Sequence, residues 1–232
     1  MALPGVEREF APGFFSTFHF TTSPAMSATS FDPFLSRLAA RPSGDDVFNQ
    51  YSQPECLQNL RHFLEHLSAS GSDVFLVGEA PGYRGCRLTG IPFSSPRLLL
   101  ESKAPIFQAL RPNLFTSSDV SEASARIVWE TLEQAKTLPL LWNAFPFHPH
   151  RIGHPNSNRP LRKKELAEGV SFLAELAAIF QPGLFVAVGR SAQHALATAF
   201  SHLPIEYVRH PSYGGKSEFQ RQLSHILRQT RT

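Results

Sequence analysis

The sequence predicts an α/β protein in which four parallel strands form a sheet covered on both faces by helices. Three observations carry this reading. Short apolar runs recur four times, at Val74 to Val77, Leu138 to Trp142, Leu184 to Val188 and Ile205 to Val208, each in the format of a strand buried on both faces. Stretches with apolar residues at helical spacing lie between them. Alternation of the two kinds of element implies right-handed crossovers and a single parallel sheet.

The elements follow in order. Residues 1–30 string Phe14, Phe15, Phe18 and Phe20 among Ser, Thr, Pro and Gly without a sustained period. They read as a poorly ordered tail, and Met26 offers an alternative start of translation. The tail lacks the basic start and continuous apolar stretch of a secretory signal, and Glu7 and Glu9 speak against a transit peptide. One domain is expected over residues 31–232. Leu57, Leu60, Phe63, Leu64 and Leu67 mark a helix after Pro54, which suits a first turn, and Ser70-Gly71-Ser72 ends it. Further helices are marked by Ile127, Val128 and Leu132, then by Leu166, Val170, Leu173, Ala177 and Phe180, then by Ala192, Ala195, Leu196 and Ala199. A last helix, expected to be capped by Ser217, carries Phe219, Leu223 and Ile226.

Composition narrows the function. The 232 residues are 42% hydrophobic and 18% charged, enough for one domain with a real core. No apolar run approaches the roughly 20 residues of a membrane span, so no membrane role is expected. Cys56 and Cys86 are too few for a disulfide scaffold or a four-cysteine metal site, and fit a reducing cytoplasm. The formal net charge of +3 permits a nucleic-acid partner without requiring one.

The unusual residues fall at the strand ends: Gly78-Glu79-Ala80-Pro81-Gly82, Asn143-Ala144-Phe145-Pro146, Gly189-Arg190-Ser191-Ala192 and His210-Pro211-Ser212. In an open parallel sheet these ends share one edge, where ligands bind. Glu79 in a tight turn is either incidental to that turn or a carboxylate with a function, since a partly buried carboxylate needs a partner. Gly90-Ile91-Pro92-Phe93 returns an aromatic ring to the same edge. Asn143 either caps the following turn or presents an acceptor and donors side by side, able to read a planar amide edge such as that of uracil. His148, His150 and His154 invite a metal, but prolines break the run and no HExxH spacing occurs, so none is expected. From Arg151 to Lys164 there are five basic residues and no acidic one. That run is either a solvated face or a phosphate-facing patch. His210 can donate to an oxygen that gains negative charge, and the Ser212-Tyr213-Gly214-Gly215-Lys216 stretch lets backbone N–H groups approach a phosphate. No GxGxxG or GxxxxGK[ST] phosphate loop is present, which weighs against an ordinary nucleotide-binding enzyme.

GEAPG followed by GIPF, the strand-end asparagine, VGRSA and HPS, in that order, resembles the uracil-DNA glycosylase superfamily over roughly Val74 to Phe219. The resemblance implies a three-layer α/β/α sandwich with a central four-stranded parallel sheet, and an enzyme that flips deoxyuridine out of DNA and hydrolyses its N-glycosidic bond. It implies Glu79 and His210 as catalytic residues. Gly78, Ala80, Phe93 and Asn143 would form the uracil pocket, with Phe93 stacking on the base and Asn143 reading its edge. Arg190, Ser212, Tyr213, Gly214 and Lys216 would contact DNA, joined by His150 and Arg151, with Tyr213 as the intercalating side chain. GEAPG-type members commonly hold an iron–sulfur cluster through four cysteines; with two here, no cofactor is expected. Ala80 stands where the best-known branch carries a catalytic aspartate, and Gly82 where it carries the tyrosine that blocks the thymine methyl. The expected partner is uracil-containing DNA, met by a monomer in the cytoplasm at the nucleoid. The alternative is a non-catalytic binder of uracil-containing or damaged DNA.

Overall fold

The computed structural model describes residues 30–133 and 135–229; the expected N-terminal tail and Met26 lie outside them, save Ser30. The elements run α1 (Asp32–Ala40), β1 (Val47–Phe48), α2 (Pro54–Ser70), β2 (Val74–Gly78), α3 (Cys86–Thr89), α4 (Pro96–Glu101), α5 (Pro105–Leu110), α6 (Ala123–Leu132), β3 (Leu140–Asn143), β4 (His148–Pro149), α7 (Lys163–Phe180), β5 (Leu184–Val188), α8 (Arg190–Ala199), β6 (Ile205–Val208) and α9 (Lys216–Gln229). Pro54 opens α2 as its sequence position implies, because its missing N–H has no helical partner to lose.

The four long strands form one parallel sheet in the order β3-β2-β5-β6. β2 and β3 are buried along their whole length, and β5 at all but its first residue. These strands read as unbroken apolar runs because helices cover both faces of the sheet. β6 departs from the expectation of full burial. It is the edge strand, and Glu206 and Tyr207 face solvent. The last helix also starts earlier than expected: Lys216 is its first residue, so Ser217 lies inside the first turn and does not cap it.

Right-handed crossovers put the β2–β3 connection on one face and α7 and α8, which pack together, on the other. The chain leaves β2 toward β3 and leaves β5 toward β6, so the winding reverses between β2 and β5. That reversal opens a crevice outside the strands' C-terminal ends. Short α3, α4 and α5, with the β1–β4 pair, were not legible from the sequence; none is long enough to show a period. Among the described residues no helix is long and apolar enough to cross a membrane.

Candidate active site

The crevice at the strand ends has a cavity volume of about 570 Å³ and is lined by Glu79, Ala80, Phe93, Asn143, His210, Ser212 and Tyr213 among others. Three of the four strand-end motifs therefore converge. The Gly189-Arg190-Ser191-Ala192 motif does not line the crevice: Gly189 packs behind His210, and Arg190 stays exposed in the first turn of α8.

Asn143 is the last residue of β3 and pairs with Gly78 across the sheet. It is 5% exposed. The turn that follows satisfies itself through its backbone: Ala144 N–H donates to Gly78 O at 2.8 Å and Phe145 N–H to Glu79 O at 3.0 Å. The Asn143 amide thus caps nothing, and no described residue hydrogen-bonds to it. The residue is buried, but its amide opens onto the crevice, free to pair with a ligand that offers a matching edge.

Phe93 stands over the same strand end. A Cβ on Gly78 would lie 2.6 Å from Phe93 Cζ and 2.9 Å from Asn143 Oδ1, so only glycine lets the ring and the amide meet there. Phe93 has φ of +54°, a conformation that costs a bulky residue energy and persists only where its surroundings hold it. Trp129 Nε1–H donates to its carbonyl at 3.0 Å, and the preceding turn is fixed by Thr89, Ser94 and Ile91.

His210 completes the opposite end. Its Nδ1 accepts from the Ser212 backbone N–H at 3.2 Å and lies 2.7 Å from the Ser212 hydroxyl. A neutral ring with Nδ1 as acceptor carries its proton on Nε2. Burial lowers the His210 pKa against the opposing pull of the Glu79 charge, so at neutral pH the ring is an uncharged Nε2 donor. Ser212 therefore orients the histidine. The Glu79 carboxylate is half-buried at the crevice wall, and no described residue hydrogen-bonds or ion-pairs with it.

Tyr213 is 98% exposed at the rim, with φ of +51°, and Gly214 follows at +76°. A large aromatic ring held in full solvent by a strained turn has no packing role.

A family model for the uracil DNA glycosylase superfamily matches residues 65–229, and the convergent motifs all lie inside that span. The chain belongs to the uracil DNA glycosylase superfamily. Among solved structures it is similar to wild-type SMUG2 of Pedobacter heparinus, with a TM-score of 0.59 over 85% of this chain and 96% of that one, at 13% identity. That likeness extends the shared fold beyond the matched motifs. No curated protein matches by sequence.

Within this superfamily fold, the basic segment differs from its sequence appearance. Arg159 donates to both Glu165 oxygens, at 2.6 and 2.8 Å, and approaches Asp46 at 3.4 Å. Arg162 pairs with Asp46. Two of the five charges are thus neutralised by residues outside the run. His150, expected to touch DNA, is 7% exposed and turns inward, its ring 5.6 Å from that of His148. Its backbone N–H donates to Asp46 O as the chain leaves the β1–β4 pair, which explains the burial. His148 Nδ1 donates to Pro81 O at 2.7 Å, and burial takes its pKa down to about 4. Arg151 remains exposed and forms no ion pair among the described residues. Lys216 Nζ donates to Glu130 at 2.8 Å, so its charge is shared with that carboxylate.

Glu122 is among the lining residues that escaped the sequence reading. Immediately before α6, it lies in the crevice wall beside Gly82 and Gly85. It belongs to no motif and reads as an ordinary helix start. The available hint was the pair of glycines three residues apart, a sign that something approaches the backbone closely.

Proposed function

We propose that this glycosylase-family protein removes uracil from DNA by hydrolysing the N-glycosidic bond, leaving an abasic site. The observation that carries the reading is the unpartnered amide of buried Asn143 beneath the Phe93 ring. Side by side, its N–H donates to uracil O4 and its Oδ1 accepts from N3–H; cytosine offers the reverse pattern. Mismatched buried groups stay unpaired, a penalty that can reach 10⁴–10⁵-fold in selectivity.

The chemistry follows from the remaining groups. Flipping the nucleotide costs a few kcal/mol, offset by stacking on Phe93 and by Tyr213 occupying the vacated place in the duplex. As the C1′–N1 bond breaks, its electron pair passes to the base and charge gathers on O2, which the His210 Nε2–H stabilises. The sugar becomes cationic, and the Glu79 carboxylate favours that charge and takes a proton from the water that adds to C1′. Arg151 and the backbone of residues 212–215 contact phosphates.

The test is single-turnover cleavage of oligonucleotides bearing uracil, cytosine or hypoxanthine, single- and double-stranded, by wild type, Glu79→Ala and Asn143→Ala. Abasic product from uracil, lost in both variants, is the expected result. No product from any substrate while uracil-containing DNA is still bound would replace the enzyme with a non-catalytic binder.

A further inference from the structure

Glu122 has no part in the mechanism above. It occupies the N-cap position of α6, yet its side chain accepts no hydrogen bond from that helix. The carboxyl turns instead onto the backbone of the 81–85 loop: a Cβ on Gly82 or Gly85 would overlap its oxygens. Among the described residues nothing hydrogen-bonds to it or forms an ion pair with it. Burial pushes its pKa up to about 7, with Arg84 acting only weakly in the other direction. A partnerless carboxyl in the wall of a binding crevice is placed to meet whatever the crevice holds.

Topology says which part of a base it meets. The strand order puts Asn143, on β3, at one end of the row of strand ends, and His210, beyond β6, at the other. The 81–85 loop is tied to the chain that follows β3, through His148 Nδ1 to Pro81 O at 2.7 Å and Tyr83 N–H to Asn158 Oδ1 at 3.0 Å. Gly82, and the Glu122 carboxyl set against it, are therefore anchored on the Asn143 side of the crevice. A pyrimidine that offers O2 to His210 and N3–H and O4 to Asn143 turns C5 to this side, because C5 follows C4 around the ring.

We propose that Glu122 is a specificity-determining residue, filling the space beside C5 of the bound pyrimidine and refusing a 5-methyl group. The inference rests on the uracil reading of the crevice. Gly82 presents no side chain toward the base, so the gap it leaves is closed from α6. Uracil, with hydrogen at C5, fits against the carboxyl. Thymine must push it into the backbone of two residues that have no room for even a Cβ. A single methyl group in a shaped pocket changes selectivity by roughly 10–200-fold.

The experiment measures single-turnover rates of the full chain on matched oligonucleotides carrying one uracil or one thymine opposite guanine. Glu122→Ala is expected to lower the uracil-to-thymine rate ratio roughly 10–200-fold by admitting thymine, while Glu122→Gln, of the same shape, keeps the wild-type ratio. The ratio is internal to each variant, so a general loss of folded protein does not move it. Glu122→Ser, which shortens the side chain while providing a good helix cap, replaces the alanine variant if that one misfolds. Thymine still refused by the shortened variants, or accepted by wild type as readily as uracil, overturns the role of Glu122 and leaves the uracil reading standing. Wild type that makes no abasic product from uracil overturns both.

Discussion

Glu165, behind Arg159 of the crevice wall, and Glu122, in the wall itself, are two carboxylates held in opposite ways. Glu165 is 2% exposed, and the Arg159 guanidinium grips it through both oxygens. Burial alone would raise its pKa, but the hydrogen bonds from Arg159 and the Arg162 backbone, with both guanidinium charges, bring it below the ordinary value. Glu122 has no such partner, and burial takes it up to about 7. The difference separates structure from function. Glu165 spends its charge pinning the basic segment to the β1–β4 pair. Glu122 keeps its hydrogen-bonding capacity and turns it into the crevice, as Asn143 and Glu79 do.

The harshest way to break the comparison is to strip Glu165 of its partner. Arg159→Met leaves a buried carboxylate uncompensated and should destabilise the fold by about 3–5 kcal/mol, measured by denaturant unfolding at pH 7. Next comes pH. The raised pKa of Glu122 means its neutral form favours the folded state; that contribution is complete below about pH 4.5 and is lost as pH rises through about 7. Glu122→Gln should therefore be more stable than wild type at pH 8, by on the order of 3 kcal/mol, with the gain fading toward pH 5. Glu165 works the other way: its depressed pKa gives stability that is present above the ordinary carboxylate range and lost as pH falls through the folded value. Smallest is the effect of the rim. Tyr213→Ala should leave stability unchanged, since the ring is 98% exposed, and weaken DNA binding by about 1–3 kcal/mol, read by fluorescence anisotropy.

The same contrast explains what could be read from the sequence. All four strands were legible as short apolar runs, only the solvent-facing side of the edge strand β6 going unforeseen, and the helices were legible where they sustain a period. The convergence of Glu79, Asn143 and His210 was legible because a parallel sheet gathers its strand ends at one edge. The basic run left two readings open, and Asp46, more than a hundred residues away, and Glu165, one residue past its end, neutralise two of its five charges. No local pattern records such a pairing. His150 misled for the same reason, its burial being set by the distant Val47–Phe48 strand. Glu122 was silent because nothing in Ser121-Glu122-Ala123 distinguishes a helix start from a pocket wall.

The central claim is that the crevice excises a base from DNA, with the neutral His210 ring stabilising the departing anion. Single-turnover cleavage of a uracil-containing oligonucleotide by wild type and His210→Ala, with folding checked by circular dichroism, tests it most directly. The account predicts abasic product from wild type and a loss of about 10²–10³-fold in the variant. Equal rates from the two proteins would contradict it.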